Sequence, residues 1–121
     1  MRQRLSVTAL AFALSGAAFA QDGALELAQA RQAVDRATRA DADQYAPDLI
    51  GLARQGLEQA QRASAGGRSE RREAPGLAQR AAADADLARV RSEEATAVAQ
   101  LQLRRNEVTQ LERQLQEGGT R

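Results

Sequence analysis

Apolar residues recur along this chain at three- and four-residue spacing, the period of one face of an α-helix. Between about residues 24 and 44 the recurrence falls on Leu27, Ala30, Val34 and Ala37, which share one side of a helix with about 3.6 residues per turn. Asp35 stands four positions ahead of Arg39, an order that supports the same helix. The pattern breaks at Tyr45-Ala46-Pro47, because proline drives its predecessor out of the helical region and has no amide hydrogen for the preceding turn. Proline is at home in the first turn of a new helix, and Asp48 behind it suits the positive end of the dipole. A second helix is therefore predicted over about 48–65. Its stripe holds Leu49, Leu52, Ala53, Gly56, Ala60 and Ala63, with Glu58 four ahead of Arg62.

Gly66-Gly67 is expected to stop that helix, glycine being the residue that most readily takes the left-handed turn past a helix end. The charged stretch 68–73 reads as a solvated connection or a frayed first turn, and Pro75-Gly76 as the start of a third helix or a kink near its beginning. That helix is predicted over about 75–117, with 118–121 as a flexible tail. Roughly 40 residues at 1.5 Å each make a rod near 60 Å, about twice the reach of the first two helices, so it must overhang them or bend. Its halves differ in pattern. Leu77, Ala81, Ala85 and Ala88 form a small-residue stripe, whereas Leu101, Val108, Leu111 and Leu115 fall near heptad a and d positions, interrupted by Glu94 and Arg104. The expected fold is all-α: an antiparallel helical hairpin plus a long third helix, up-down-up, with a coiled-coil-like C-terminal half.

The first twenty residues follow a different logic. Arg2 and Arg4 precede an uncharged run from Leu5 to Ala20, which closes on Ala18-Phe19-Ala20 ahead of Gln21. Positive charge, a short apolar stretch and small residues at the first and third positions before a cut are the parts of a secretory signal. The run is too short and too softened by Ser6, Thr8, Ser15 and Gly16 for a membrane anchor, which needs about 20 apolar residues. Cleavage after Ala20, export to the periplasm and a mature helical domain over 21–117 are expected.

Composition changes with that cut. All seventeen basic residues are arginine, and losing two of them leaves fifteen against sixteen acids, a net charge of −1. A mixed, near-neutral surface argues against nucleic acid as a partner, since that binding needs a net basic patch. The mature segment has no His, Cys, Lys, Met, Phe or Trp, and Tyr45 is its lone aromatic residue. Its 22 alanines outnumber 16 larger aliphatics. Alanine is the best helix former, yet it buries little area at about 25 cal/mol per Å². A thin core with no room for a ligand follows, and stability is expected to come partly from self-association or a partner.

Catalytic parts are missing from this inventory. Asp84 with Asp86, and Glu93 with Glu94, are neighbours one or two apart, which point in different directions on a helix. Ser64, Ser69 and Ser92 have no His or Lys to act as a base. Asp41-Ala42-Asp43 opens like a calcium loop but lacks the third oxygen ligand and the glycine of one. No enzyme activity, metal, cofactor or small-molecule substrate is expected. Membrane-surface contact through the arginines of the third helix is a weaker alternative, because its apolar stripe is mostly alanine in the first half. A holdase-like chaperone is another, set back by the absence of strong positive charge.

The stretch 33–89 resembles a known family. Tyr45-Ala46-Pro47 closes the first helix, Leu49, Ala53, Leu57 and Ala60 space the second, and Leu77-Ala78, Ala81, Asp84, Ala85 and Leu87-Ala88 mark the third. Together they resemble the bacterial envelope family catalogued as domain of unknown function 4398. The resemblance implies an exported helical protein, in some members lipid-anchored and in others fused to an OmpA-like domain that binds peptidoglycan. This chain has no cysteine to carry a lipid and no second domain before Arg121, so neither property is expected here. The role that remains is a structural or adaptor module of the cell envelope. It would work through helix–helix contact with itself or another envelope protein, at Leu101, Val108, Leu111 and Leu115.

Overall fold

The computed structural model describes residues 18–119. Four helices follow one another: α1 (Ala18–Arg39), α2 (Ala42–Tyr45), α3 (Pro47–Ala65) and α4 (Arg68–Gly119). No strand occurs among the described residues. The expected signal segment lies outside them except for Ala18, Phe19 and Ala20, whose backbone opens α1.

The first helix ends earlier than its periodicity predicts. Instead of running on to Gln44, α1 stops at Arg39, and Asp41 adopts a left-handed conformation (φ 60°, ψ 32°). The amide of Ala40 is shared between the carbonyls of Arg36 and Ala37, both at 3.1 Å, and that of Asp41 reaches Thr38 at 3.1 Å. Such tightening is usual in a last turn. Aspartate is among the few residues that tolerate left-handed backbone, and it redirects the chain into the single turn of α2. Ala46 then takes a non-helical conformation (φ −143°), and Pro47 occupies the first turn of α3.

The second connection also differs from expectation. Gly66 is extended (φ −85°, ψ −160°) and not left-handed. Side chains end α3 and start α4 instead. The Arg71 guanidinium donates to the Gly66 carbonyl (2.6 Å), and the Gly67 amide donates to the Glu70 carboxylate (2.7 Å). Glu70 thus reaches back three residues, as the acid of a capping box does. A Cβ on Gly66 would collide with that carboxylate and stand 2.8 Å from its Cδ, so the turn is closed by glycine's lack of a side chain. With this cap in place the charged stretch is helical from Arg68, and Pro75 lies inside α4 instead of at its start. Pro75 removes one backbone bond, to the carbonyl of Arg71, without ending the helix.

Residue numbers on α1 and α4 climb together. Gln79 donates to Glu26 (3.4 Å), Arg36 donates to Asp86 (3.3 Å), and the Ser92 hydroxyl donates to the Ala40 carbonyl. These two helices are therefore parallel. On α3 the order is reversed, with Ile50 and Ala53 clustered with Ala85 and Ala88, and Ala60 with Ala78 and Ala81. The result is the up-down-up arrangement, with α2 inserted at the first corner.

The core is as thin as the composition implies. Among the described residues its buried apolar members are Leu27, Val34 and Ile50 with twelve alanines. Where α3 meets α4, a Cβ on Gly56 would stand 3.1 Å from that of Ala81. One residue of the predicted α3 stripe is misplaced: Leu52 is 55% exposed, and Ile50 fills the core in its stead. The kinked entry through Ala46 and Pro47 sets the phase of α3, which a pattern count over alternating Leu and Ile cannot resolve.

Candidate functional site

The long helix determines where a partner could sit. At 52 residues α4 is about 78 Å long. α1 (22 residues) and α3 (19 residues) reach only about 33 and 28 Å. Ala74, Ala78, Ala81, Ala85, Ala88 and Ser92 carry its buried stripe, and beyond Ser92 nothing is buried. Every residue over 97–119 is exposed, along about 35 Å of helix. Of the two alternatives, overhang and bend, α4 takes the overhang.

Leu101 (51% exposed), Val108 (54%), Leu111 (58%) and Leu115 (76%) all stand on this bare stretch. At about 100° per residue they fall within roughly 80° of one another. Their side of α4 lies on average about 145° from the buried alanine stripe, so the apolar face moves round the helix midway along it. Followed backwards, the outer side includes Ala97, Val90, Leu87 and Ala83, each exposed although α1 and α3 cover the opposite face. Periodicity found the end of this stripe and missed its beginning, because Leu87 and Val90 sit among alanines that belong to the core. Leu103, 62% exposed, lies on the far side with Ala99.

Of the four acids weighed as catalytic pairs in the sequence, Asp86, Glu93 and Glu94 are held in ion pairs, and Asp84 is not. Asp86 meets Arg36 at 3.3 Å and Arg89 at 3.8 Å, Glu93 meets Arg89 at 2.7 Å, and Glu94 meets Arg91 at 3.1 Å. The bond to Glu93, reinforced by that charge and by Asp86 against some desolvation, raises the Arg89 pKa. Arg36, Arg39, Ala40, Asp86, Arg89 and Glu93 line an open groove of about 750 Å³ beside the end of α1. Among the described residues no three acids gather as a metal site would require.

Among the serine and aspartate candidates, Ser92 and Asp43 have structural partners. Ser92 is completely buried, and its hydroxyl donates to the Ala40 carbonyl, one of those left over where α1 ends. Asp43 receives both terminal nitrogens of Arg54 at 2.5 and 3.0 Å, and Arg54 also donates to the Thr38 hydroxyl at 3.0 Å. The Arg54 bond lowers the Asp43 pKa below the ordinary carboxylate value, and the same bond raises that of Arg54. This clasp joins α1, α2 and α3. Its members are eleven and sixteen residues apart, so helical spacing gives no sign of it. Tyr45, half exposed, and the buried Ala46 complete the corner.

Comparison with known families and structures adds one positive finding. The family model described as Domain of unknown function (DUF4398) matches residues 25–117. No curated protein and no solved structure matches the chain.

Proposed function

The chain belongs to the DUF4398 family, and on that premise we propose that it is a non-enzymatic structural or adaptor module of the cell envelope. It acts after export to the periplasm, by presenting the far half of α4 to another helix. One observation carries this reading: residues 97–119 are helical yet wholly exposed, with Leu101, Val108, Leu111 and Leu115 on one side. Covering each such side chain is worth about 1.5–3 kcal/mol, so the bare rod gains by acquiring a neighbour. The ion-paired acids and buried Ser92 support the same reading, since each has a structural task.

Crosslinking in intact cells tests it. Leu111 and Leu115 replaced together by Asp, at exposed positions, leave the helical fold intact and abolish the crosslinked species that the unmodified protein forms. Unchanged crosslinks sink the adaptor reading. Intact mass of the recovered protein tests export separately: it begins at Gln21 in the periplasmic fraction, and a retained Met1 in a membrane pellet contradicts this.

A further inference from the structure

We infer that the partner covering this face is a second copy of the same chain, paired antiparallel along the outer side of α4 about the level of Ala99. The inference rests on the adaptor reading and names its occupant. The outer stripe in heptad register runs Ala83, Leu87, Val90, Glu94, Ala97, Leu101, Arg104, Val108, Leu111 and Leu115, alternating d and a. Two members are charged: Glu94 at an a position and Arg104 at a d position, both exposed.

Those two charges choose the orientation. In a parallel in-register pair, Glu94 would face its own copy and Arg104 its own copy, two like-charge layers inside the seam. In an antiparallel pair, a positions meet d positions. Centred near Ala99, Glu94 of each chain then meets Arg104 of the other, once on either side of the twofold axis. The remaining layers fall into place without adjustment. Leu87 meets Leu111, Val90 meets Val108, and Ala97 and Ala83 meet Leu101 and Leu115, large beside small. Val98, 62% exposed, flanks the axis and lies beside its own copy.

Space allows this pairing. α1 and α3 pack on the opposite side of α4, so the far half of one chain lies along the outer face of the other's packed half without meeting its shorter helices. Within each chain Arg91 holds Glu94 (3.1 Å) and Glu107 holds Arg104 (2.9 Å) across exposed surface. Exposed pairs of this kind are weak, and they exchange partners as the seam closes. The dimer is a rod about 90 Å long with a three-helix head at either end.

A charge swap tests orientation and register together. For protein recovered from expressing cells, sedimentation equilibrium gives twice the chain mass, falling to one at high dilution. E94R and R104E each weaken the dimer by at least about tenfold. The double variant E94R/R104E restores it, although its local pairs with Arg91 and Glu107 stay broken. Circular dichroism shows all four proteins equally helical. The chain has no cysteine, so a spin label on Q110C reads one distance, about 35 Å for the antiparallel pair and under about 20 Å for a parallel one. A monomer at every concentration, a short label distance, or failure of the double variant to recover overturns the inference. A monomer whose crosslinks in cells still vanish with L111D/L115D overturns self-pairing while leaving the adaptor reading standing. A rescued antiparallel dimer whose cellular crosslinks persist in that variant does the reverse.

Discussion

Ser92 is the residue whose sequence context reveals least. It has the composition of a solvent-facing helix serine, yet it is buried and closes the end of α1 through the Ala40 carbonyl. Replacing it by Ala leaves that carbonyl without a partner and costs about 1–3 kcal/mol, measurable as a lower urea midpoint at unchanged slope. Asp43 makes a prediction in pH. Its carboxyl pKa is lowered in the folded chain by the Arg54 bond, so its contribution is complete above the unfolded value near 3.9 and fades as pH falls through the lower folded value. The melting temperature of Asp43→Asn is therefore below that of the unmodified protein at pH 7, and the gap closes as pH falls through the lowered folded value. A gap that persists in acid contradicts the clasp. Arg54, whose pKa is raised, contributes fully everywhere below its unfolded value, so it adds no slope in this range.

At the scale of the element, periodicity worked where apolar residues of one size repeat, and failed where single side chains intervene. The buried set Leu27, Ala30, Val34 and Ala37 of α1 stands in the sequence as plainly as in the fold. The end of α1 at Arg39 does not, because Asp41 turns the chain with neither glycine nor proline to announce it. The start of α4 was hidden for the opposite reason. Pro75 and Gly76 look like a boundary, but the Glu70 and Arg71 caps form the helix seven residues earlier. Close approach of α3 and α4 at Gly56 and Ala81 yields a further expectation. Ala81→Leu forces these helices apart and destabilises by about 1–3 kcal/mol, seen in thermal unfolding. An unchanged midpoint shows that the contact is slack.

For the whole molecule, the ratio of alanine to larger aliphatics is the governing quantity, and it was fully legible in composition. Among the described residues, twelve alanines and three larger residues make a core of small apolar area, and most of the exposed larger aliphatics stand outside it on α4. A monomer with this core is weakly held, and the proposed pairing adds the burial it lacks. We expect a helical circular dichroism spectrum and a midpoint that rises with protein concentration, as mass action requires when only the folded form associates. A concentration-independent midpoint above about 80 °C, well beyond the 45–65 °C of ordinary domains, refutes this. The overhang itself followed from counting residues. Its direction, with the apolar side turned away from the bundle, did not, because the stripe changes face at Leu87 and Val90, where both sides of α4 are apolar.

The junction at Ser92 also fixes how the bare rod moves. Starting a helix is the unfavourable step and lengthening it is nearly neutral, and here the packed stretch ending at Ser92 serves as a permanent start. In the dilute protein residues 97–119 therefore do not melt as a block; they unwind from the C-terminal end of α4, where Gly118 and Gly119 hold least firmly. Amide hydrogen exchange then follows a gradient, fastest at the last turn and slowing toward Ser92, with no plateau between. When the same stretch lies in a paired rod, the gradient flattens up to about Leu115 and the exchange rates of distant turns become one shared rate, that of separation of the two chains.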